Sequence, residues 1–158
     1  MKYDKRVFFL IEQIKQNNEL LMSQDCLDII YYIVYKSFKL RYLARILHNI
    51  MIEKKQKLLI FIKKLMSLWQ TEVFLDNLDM NVKVICSQMN QKMRAIIINW
   101  FNNFNNRYQI FLTTFFCAAS ELNLYKMCYN VVIMKILFNI NTFFQVINCV
   151  HWLEQLFL

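Results

Sequence analysis

The sequence predicts an all-α, single-domain bundle of about five to seven helices joined by short Asn/Ser/Asp turns, and three observations carry that expectation. The first is that 158 residues contain no glycine and no proline. Average usage is roughly 7% and 5%, so left-handed turns lack their usual residue and helices lack a breaker. The second is a 58% apolar content with 16% aromatics, which supports a real core and excludes a disordered chain. The third is the placing of Asn, Ser and Asp between long apolar runs. Strands are disfavoured, because the apolar runs are long and no Gly-containing hairpin turn exists.

Taken in order, a first helix is expected from Tyr3 to Leu21, breaking near Gln16, Asn17 and Asn18, with Ser23 or Asp25 able to cap the next. The second runs from Cys26 toward Ile52, where Leu40, Leu43, Leu47 and Ile50 recur at helical spacing beside Arg41, Arg45 and His48. Lys54 to Trp69 continues or restarts it. Thr71 caps a short segment through Phe74 and Leu78, and a further helix follows from Val82 to Phe101. Asn102-Asn103-Phe104-Asn105-Asn106 is the best turn, since Asn tolerates left-handed backbone. Arg107 to Ser120 and Asn123 to Phe157 finish the chain as two more helices.

Charge is the clearest functional signal. Residues 36 to 64 hold Lys36, Lys39, Arg41, Arg45, Lys54, Lys55, Lys57, Lys63 and Lys64 against the single acid Glu53, and this segment accounts for the whole net charge of +8. A basic amphipathic segment of this kind attracts the phosphates of RNA or of anionic lipid, so these nine residues are the candidate polyanion-binding site. The competing readings are a solvated helix face and a dock for an acidic protein.

The missing glycine removes most enzyme signatures, among them the dinucleotide fingerprint, the phosphate loop and the nucleophile elbow. The carboxylate pairs Asp25 with Asp28 and Asp76 with Asp79 share helical faces, but acids near helix starts usually serve as caps. His151 beside Cys149 supplies two metal ligands where four are usual. Five separated cysteines, Cys26, Cys86, Cys117, Cys128 and Cys149, read as reduced thiols. Trp69, Trp100, Phe101, Phe104 and Tyr108 could stack on bases, yet aromatics at helical spacing are more often core. No catalytic residue, metal or cofactor is therefore expected, and the chain is not expected to be an enzyme.

From Met127 to Leu153 the only formal charge is Lys135, and that run is open to two readings, a core helix or a membrane span. Lys135, Asn139, Thr142 and Gln145 fall on one helical side, which suits an amphipathic bundle helix or a membrane helix whose polar side faces protein, and the moderate hydropathy favours the core. Codons rich in A and T dominate, with 80 residues of Phe, Tyr, Met, Ile, Asn and Lys against nine of Gly, Ala, Arg and Pro. An organellar genome is one source of that bias. The five apolar residues Val7 to Ile11 are too few for a secretory leader, so an intracellular location, mitochondrial or membrane-associated, is expected.

The functional expectation follows: a non-catalytic helical structural or accessory subunit of a larger, organellar assembly, with other protein subunits as partners and residues 36–64 on RNA or anionic membrane. The alternatives are a membrane-embedded accessory subunit of a respiratory or ATP-synthase-type complex, a helical interaction module, and an orphan protein with little selected function.

Overall fold

The apolar runs at Leu58–Ile62 and Ile110–Thr114 are strands, and they occupy the centre of a four-stranded parallel sheet. This is a computed structural model, and it describes Ile30, residues 32–34, 37–103 and 110–118 (backbone only at Phe116 and Ala118), Cys128, residues 130–135, Ile140, Asn141 and Phe144. The all-α bundle is thereby corrected to a mixed α/β fold. Along the chain come α1 (Phe38–Leu47), a π-helical turn (His48–Glu53), β1 (Leu58–Ile62), α2 (Leu65–Asn77), β2 (Val82–Ile85), α3 (Gln91–Asn102), β3 (Ile110–Thr114), the single turn α4 (Phe115–Ala118) and β4 (Asn130–Ile133).

The physical reason for the correction lies in the two central strands. Every residue of β1 and β3 is buried, because helices cover both faces of the sheet. Such strands show no alternation, and a short continuous apolar run cannot be distinguished from a buried helix by periodicity. Nor does a parallel sheet need hairpins, since each crossover is a helix. Among the described residues two non-glycine residues take the left-handed backbone that the composition seemed to forbid, Lys55 at φ 52° and Asp79 at φ 51°.

The strand order is β2-β3-β1-β4, with Leu58 paired to Ile110 and Asn130, and Val82 paired to Ile110. The step from β1 to β2 crosses the sheet one way and the step from β2 to β3 returns. Right-handed crossovers must therefore put α2 and α3 on opposite faces. The core agrees. Leu58, Ile60, Ile62, Ile110 and Leu112 pack with Leu40, Leu43 and Leu47 of α1 and Leu68, Phe74 and Leu75 of α2. On the other face Leu59, Phe61 and Phe111 pack with Ile97 and Phe101 of α3, with Phe115 and with Cys128. Phe101 meets Phe111 edge to face at 5.1 Å, and Phe61 stacks on Phe115 at 5.6 Å.

Local signals fix the helices. Ser37 caps α1 by accepting a hydrogen bond from the Leu40 amide at 3.4 Å, and Asn90 caps α3 by accepting from the Lys92 amide at 2.8 Å. At the end of α2, Asp79 takes the left-handed position where glycine usually stands, and the Met80 amide returns to the Leu75 carbonyl at 3.1 Å. β4 is anchored at its start by the Asn130 side-chain amide, which donates to the Lys57 carbonyl and to Gln56 Oε1, each at 3.1 Å.

Within the expected apolar helix at 127–153, residues 130–133 are a strand. Among the described residues no helix is long and apolar enough to cross a membrane. The expected helix from Tyr3 to Leu21, the pair Asp25 and Asp28, Phe104, Tyr108, Cys149 and His151 lie outside the described residues.

Candidate phosphate site at the carboxyl edge of the sheet

In an open parallel sheet the strands end together, and ligands bind beyond their carboxyl ends, where neighbouring connections leave in opposite directions. Here β1 departs toward β2 while β3 departs toward β4, so the switch point lies between the ends of β1 and β3. At the same carboxyl edge, lined from the ends of β1 and β4 and by no residue of β3, is a cavity of about 230 Å³. Ile62, Lys63 and Lys64 at the end of β1 and Met134 and Lys135 after β4 line part of it. Ser37, Lys39 and Leu40 from the start of α1, and Ser67, Gln70 and Thr71 from the first turns of α2, form the rest.

Four lysines, Lys39, Lys63, Lys64 and Lys135, thus face one space, and among the described residues no carboxylate lines it. The four described acids are Glu53, Glu72, Asp76 and Asp79, which lie from the middle of α2 to the amino edge of the sheet. Burial raises the carboxyl groups of Glu72 and Asp76 above their ordinary range, and the charge of Asp76 raises Glu72 further. Among the described residues the carboxyl edge therefore carries charge of one sign.

Two helices begin at the cavity. Ser37 caps α1, whereas Lys64 at the start of α2 makes no side-chain cap. The positive ends of both helix dipoles add to the lysine charge. Three hydroxyl groups (Ser37, Ser67, Thr71) and one amide (Gln70) complete the lining. The Thr71 hydroxyl donates to the Ser67 carbonyl at 2.8 Å, which fixes the wall. This set of groups suits an anion with several oxygens.

The structure divides the nine basic residues expected to act together. Lys39, Lys63 and Lys64 meet at the cavity. Arg41 and Arg45 lie on α1 against aromatic rings, Arg41 at 4.0 Å from the Phe38 centroid and Arg45 at 6.0 Å from that of Tyr42. Lys54, Lys55 and Lys57 belong to the opposite, amino edge, and Lys57 is turned inward onto the end of α3. Lys36 lies outside the described residues. His48 pairs with Glu53 at 3.5 Å inside the π-helical turn, away from the cavity. Lys135 was absent from the expected set. Its only signal was to be the one charge in a long apolar run, and its sequence distance from Lys64 hid the meeting. Of the aromatics read mainly as core, Phe101 is buried, but Trp69 and Trp100 are exposed. Among the described residues no group of three His, Cys, Asp or Glu could hold a metal ion.

The fold has a known counterpart. The crystal structure of the C-terminal part of the Fun30 ATPase domain superposes with a TM-score of 0.69 at 25% sequence identity, over 75% of this chain and 38% of that one. This chain thus spans about two fifths of the length of the protein it resembles. No family model and no curated protein matches the sequence. The likeness overturns the helical subunit expected from composition, since the neighbour is part of an ATPase domain with an α/β fold. It removes with it the helical-bundle description on which that expectation was built.

Proposed function

We propose that this chain is a lobe of the ATPase-domain type whose carboxyl edge binds the phosphate groups of a polyanionic ligand. Lys39, Lys63, Lys64 and Lys135 supply the counter-charge, and Ser37, Ser67, Gln70 and Thr71 supply hydrogen bonds to the oxygens. One observation carries the reading: four lysines and, among the described residues, no carboxylate around a cavity at the carboxyl edge of a parallel sheet. The likeness to part of an ATPase domain supports it from outside. The chain has no glycine, so any nucleotide it holds is gripped by side chains and helix ends and not by a glycine-rich loop.

The test compares two variants of equal charge. Lys64→Ala/Lys135→Ala removes two lysines from the cavity, and Lys54→Ala/Lys55→Ala removes two from the amino edge. Titration calorimetry with inorganic tripolyphosphate at low salt should show at least about a tenfold loss for the first pair. The second pair should stay within about twofold of the parent, as expected for screened, distant charges. Equal losses in both would mean diffuse attraction and would end the proposal.

A further inference from the structure

We propose that the phosphates are those of an anionic membrane surface, whose lipid headgroups enter the lysine cavity while Phe38, Leu65 and Met66 at its rim dip into the boundary between headgroups and acyl chains. The proposal rests on the phosphate-binding reading of the cavity and adds the class of partner.

The rim is made where two helices start. α1 precedes β1 and α2 follows it, and their first residues meet at the cavity on one face of the sheet. Phe38 opens α1, and Leu65 and Met66 open α2. Helical side chains lean toward the N-terminal end, so all three lean past the end of the sheet. They are 74%, 59% and 66% exposed. In the chain they alternate with the lining: Phe38 stands between Ser37 and Lys39, and Leu65 and Met66 stand between Lys64 and Ser67. The core does not use them, because Leu40, Leu43, Leu68 and Leu75 supply the inner faces of the two helices.

Charge decides what covers this rim. Four lysines share the cavity, and among the described residues no carboxylate lines it, which suits a surface of continuous negative charge. Lysine stems are long and apolar, so their ammonium groups stay with phosphates while neighbouring apolar side chains go deeper. The Arg41 guanidinium, 4.0 Å from the Phe38 centroid, reaches the same headgroup level from a stem of similar length. A protein partner fits less well, since lysine is depleted and arginine enriched at such interfaces. Nucleic-acid bases fit less well too, since Leu65 and Met66 offer no ring to stack on. Attachment of this kind needs no spanning helix, and among the described residues none is long and apolar enough to be one. Trp69, one turn beyond Leu65 and 58% exposed, then lies at headgroup depth. Trp100 occupies the last turn of α3 beside Lys83 near the start of β2, at the opposite edge of the sheet.

The experiment uses the full chain and sedimentation with two kinds of vesicle, phosphatidylcholine alone and phosphatidylcholine with phosphatidylserine in equal parts. Tripolyphosphate calorimetry and a labelled oligothymidylate run beside them. The parent should bind the mixed vesicles at least about tenfold more tightly than phosphatidylcholine. Phe38→Ser/Leu65→Ser/Met66→Ser should lower that affinity about tenfold or more and leave tripolyphosphate affinity within about twofold of the parent. Phe38→Trp/Met66→Trp keeps interfacial side chains and should bind mixed vesicles as well as the parent does. Trp100→Phe/Trp152→Phe leaves Trp69 as the one tryptophan, and Trp69→Phe/Trp152→Phe leaves Trp100. Brominated acyl chains in the mixed vesicles should quench the first and not the second. Equal binding to the two kinds of vesicle, unchanged vesicle affinity in the serine variant, lost affinity in the tryptophan variant, equal quenching of Trp69 and Trp100, or tight oligonucleotide binding that falls with the serine substitutions would each overturn the inference. In those cases tripolyphosphate binding by the parent would leave the cavity reading standing. Failure of tripolyphosphate to bind would remove both.

Discussion

The ammonium of Lys57 donates a hydrogen bond to the backbone carbonyl of Phe101 and lies 5.0 Å from the centre of that residue's ring. It also donates to the Asn103 carbonyl at 2.9 Å. A lysine at the foot of β1 thus closes the C-terminal end of α3, where the last carbonyls lack helical partners and the dipole is negative. By sequence it belongs to the basic segment. By position it holds the second face of the sheet to its helix.

Replacing Lys57 with Met keeps the apolar stem and removes these bonds. Burial also lowers the Lys57 pKa, so part of the gain is offset by desolvation. The expected net loss is about 1–2 kcal/mol, in the range for bonds to a charged donor. Urea unfolding would show it as a lower midpoint, with tripolyphosphate affinity unaltered. A variant that kept its stability but lost affinity would return Lys57 to the ligand site.

Lys54 and Lys55 make a paired prediction, because adjacent residues with the same side chain have different backbones. Lys55 has φ 52°, whereas Lys54 has φ −92°. A lysine held in the left-handed region costs about 1–2 kcal/mol, and glycine relieves that at some cost in unfolded-state entropy. Lys55→Gly should therefore stabilise by about 0.5–1 kcal/mol, while Lys54→Gly should destabilise by a similar amount. Both remove one charge, so charge alone cannot account for opposite signs. Thermal melts of the two variants moving in the same direction would contradict the backbone argument.

These residues also show how far the sequence could be read. The amphipathic pattern of Leu40, Leu43 and Leu47 identified a helix that exists, and the clustering of Lys39, Lys63 and Lys64 pointed to part of the cavity lining. Leu58–Ile62 and Ile110–Thr114 were misread because burial on both faces removes the alternation that marks a strand. Among the described residues every strand pair is parallel, so the lack of a Gly-containing hairpin turn had no bearing on this sheet. That lack could not argue against a parallel sheet whose turns are met by Lys55, Asp79 and helical crossovers. Lys135 was out of reach for a different reason: only the pairing of β4 with β1 brings it beside Lys64.

On α2, Glu72 and Asp76 are one turn apart, and both carboxyl groups are raised by burial, Glu72 also by the charge of Asp76. Asp76 lies in the last helical turn, where a negative charge opposes the dipole. Asp76→Lys would replace a like pair with a Glu-to-Lys pair in the favourable order and reverse the dipole term. Both groups are partly exposed, so solvent screening limits the gain to about 0.5–1 kcal/mol at neutral pH. The gain should diminish in acid. A raised carboxyl pKa means that stability is withdrawn as pH rises through the carboxylate range, so the advantage should shrink as both carboxyls protonate. An advantage that persisted undiminished at pH 3 would point to packing and not charge.

Cys128 provides an alkaline counterpart. Its thiol is fully buried in the second core cluster, and burial pushes its pKa up to about 11 from 9.0, against the opposing pull of the Asn130 and Leu59 backbone and the Lys57 charge. Between those values the unfolded chain releases the thiol proton and the folded chain retains it, so the unfolded state binds fewer protons and stability falls as pH rises. About two units at 1.36 kcal/mol each bound the loss near 2–3 kcal/mol. Lys57 acts with the opposite sign. Its lowered pKa means that the folded state gives up the ammonium proton first, and stability is recovered as pH rises through that value toward 10.5. The difference between parent and Cys128→Ala isolates the contribution of this thiol. At pH 7.5 the parent should be the more stable of the two, because the variant leaves a small cavity. From pH 9 to pH 11 the parent's urea midpoint should fall faster than the variant's. Parallel curves across that range would mean that ionisation of Cys128 is not linked to folding, and that the second face of the sheet opens to water more readily than its packing implies.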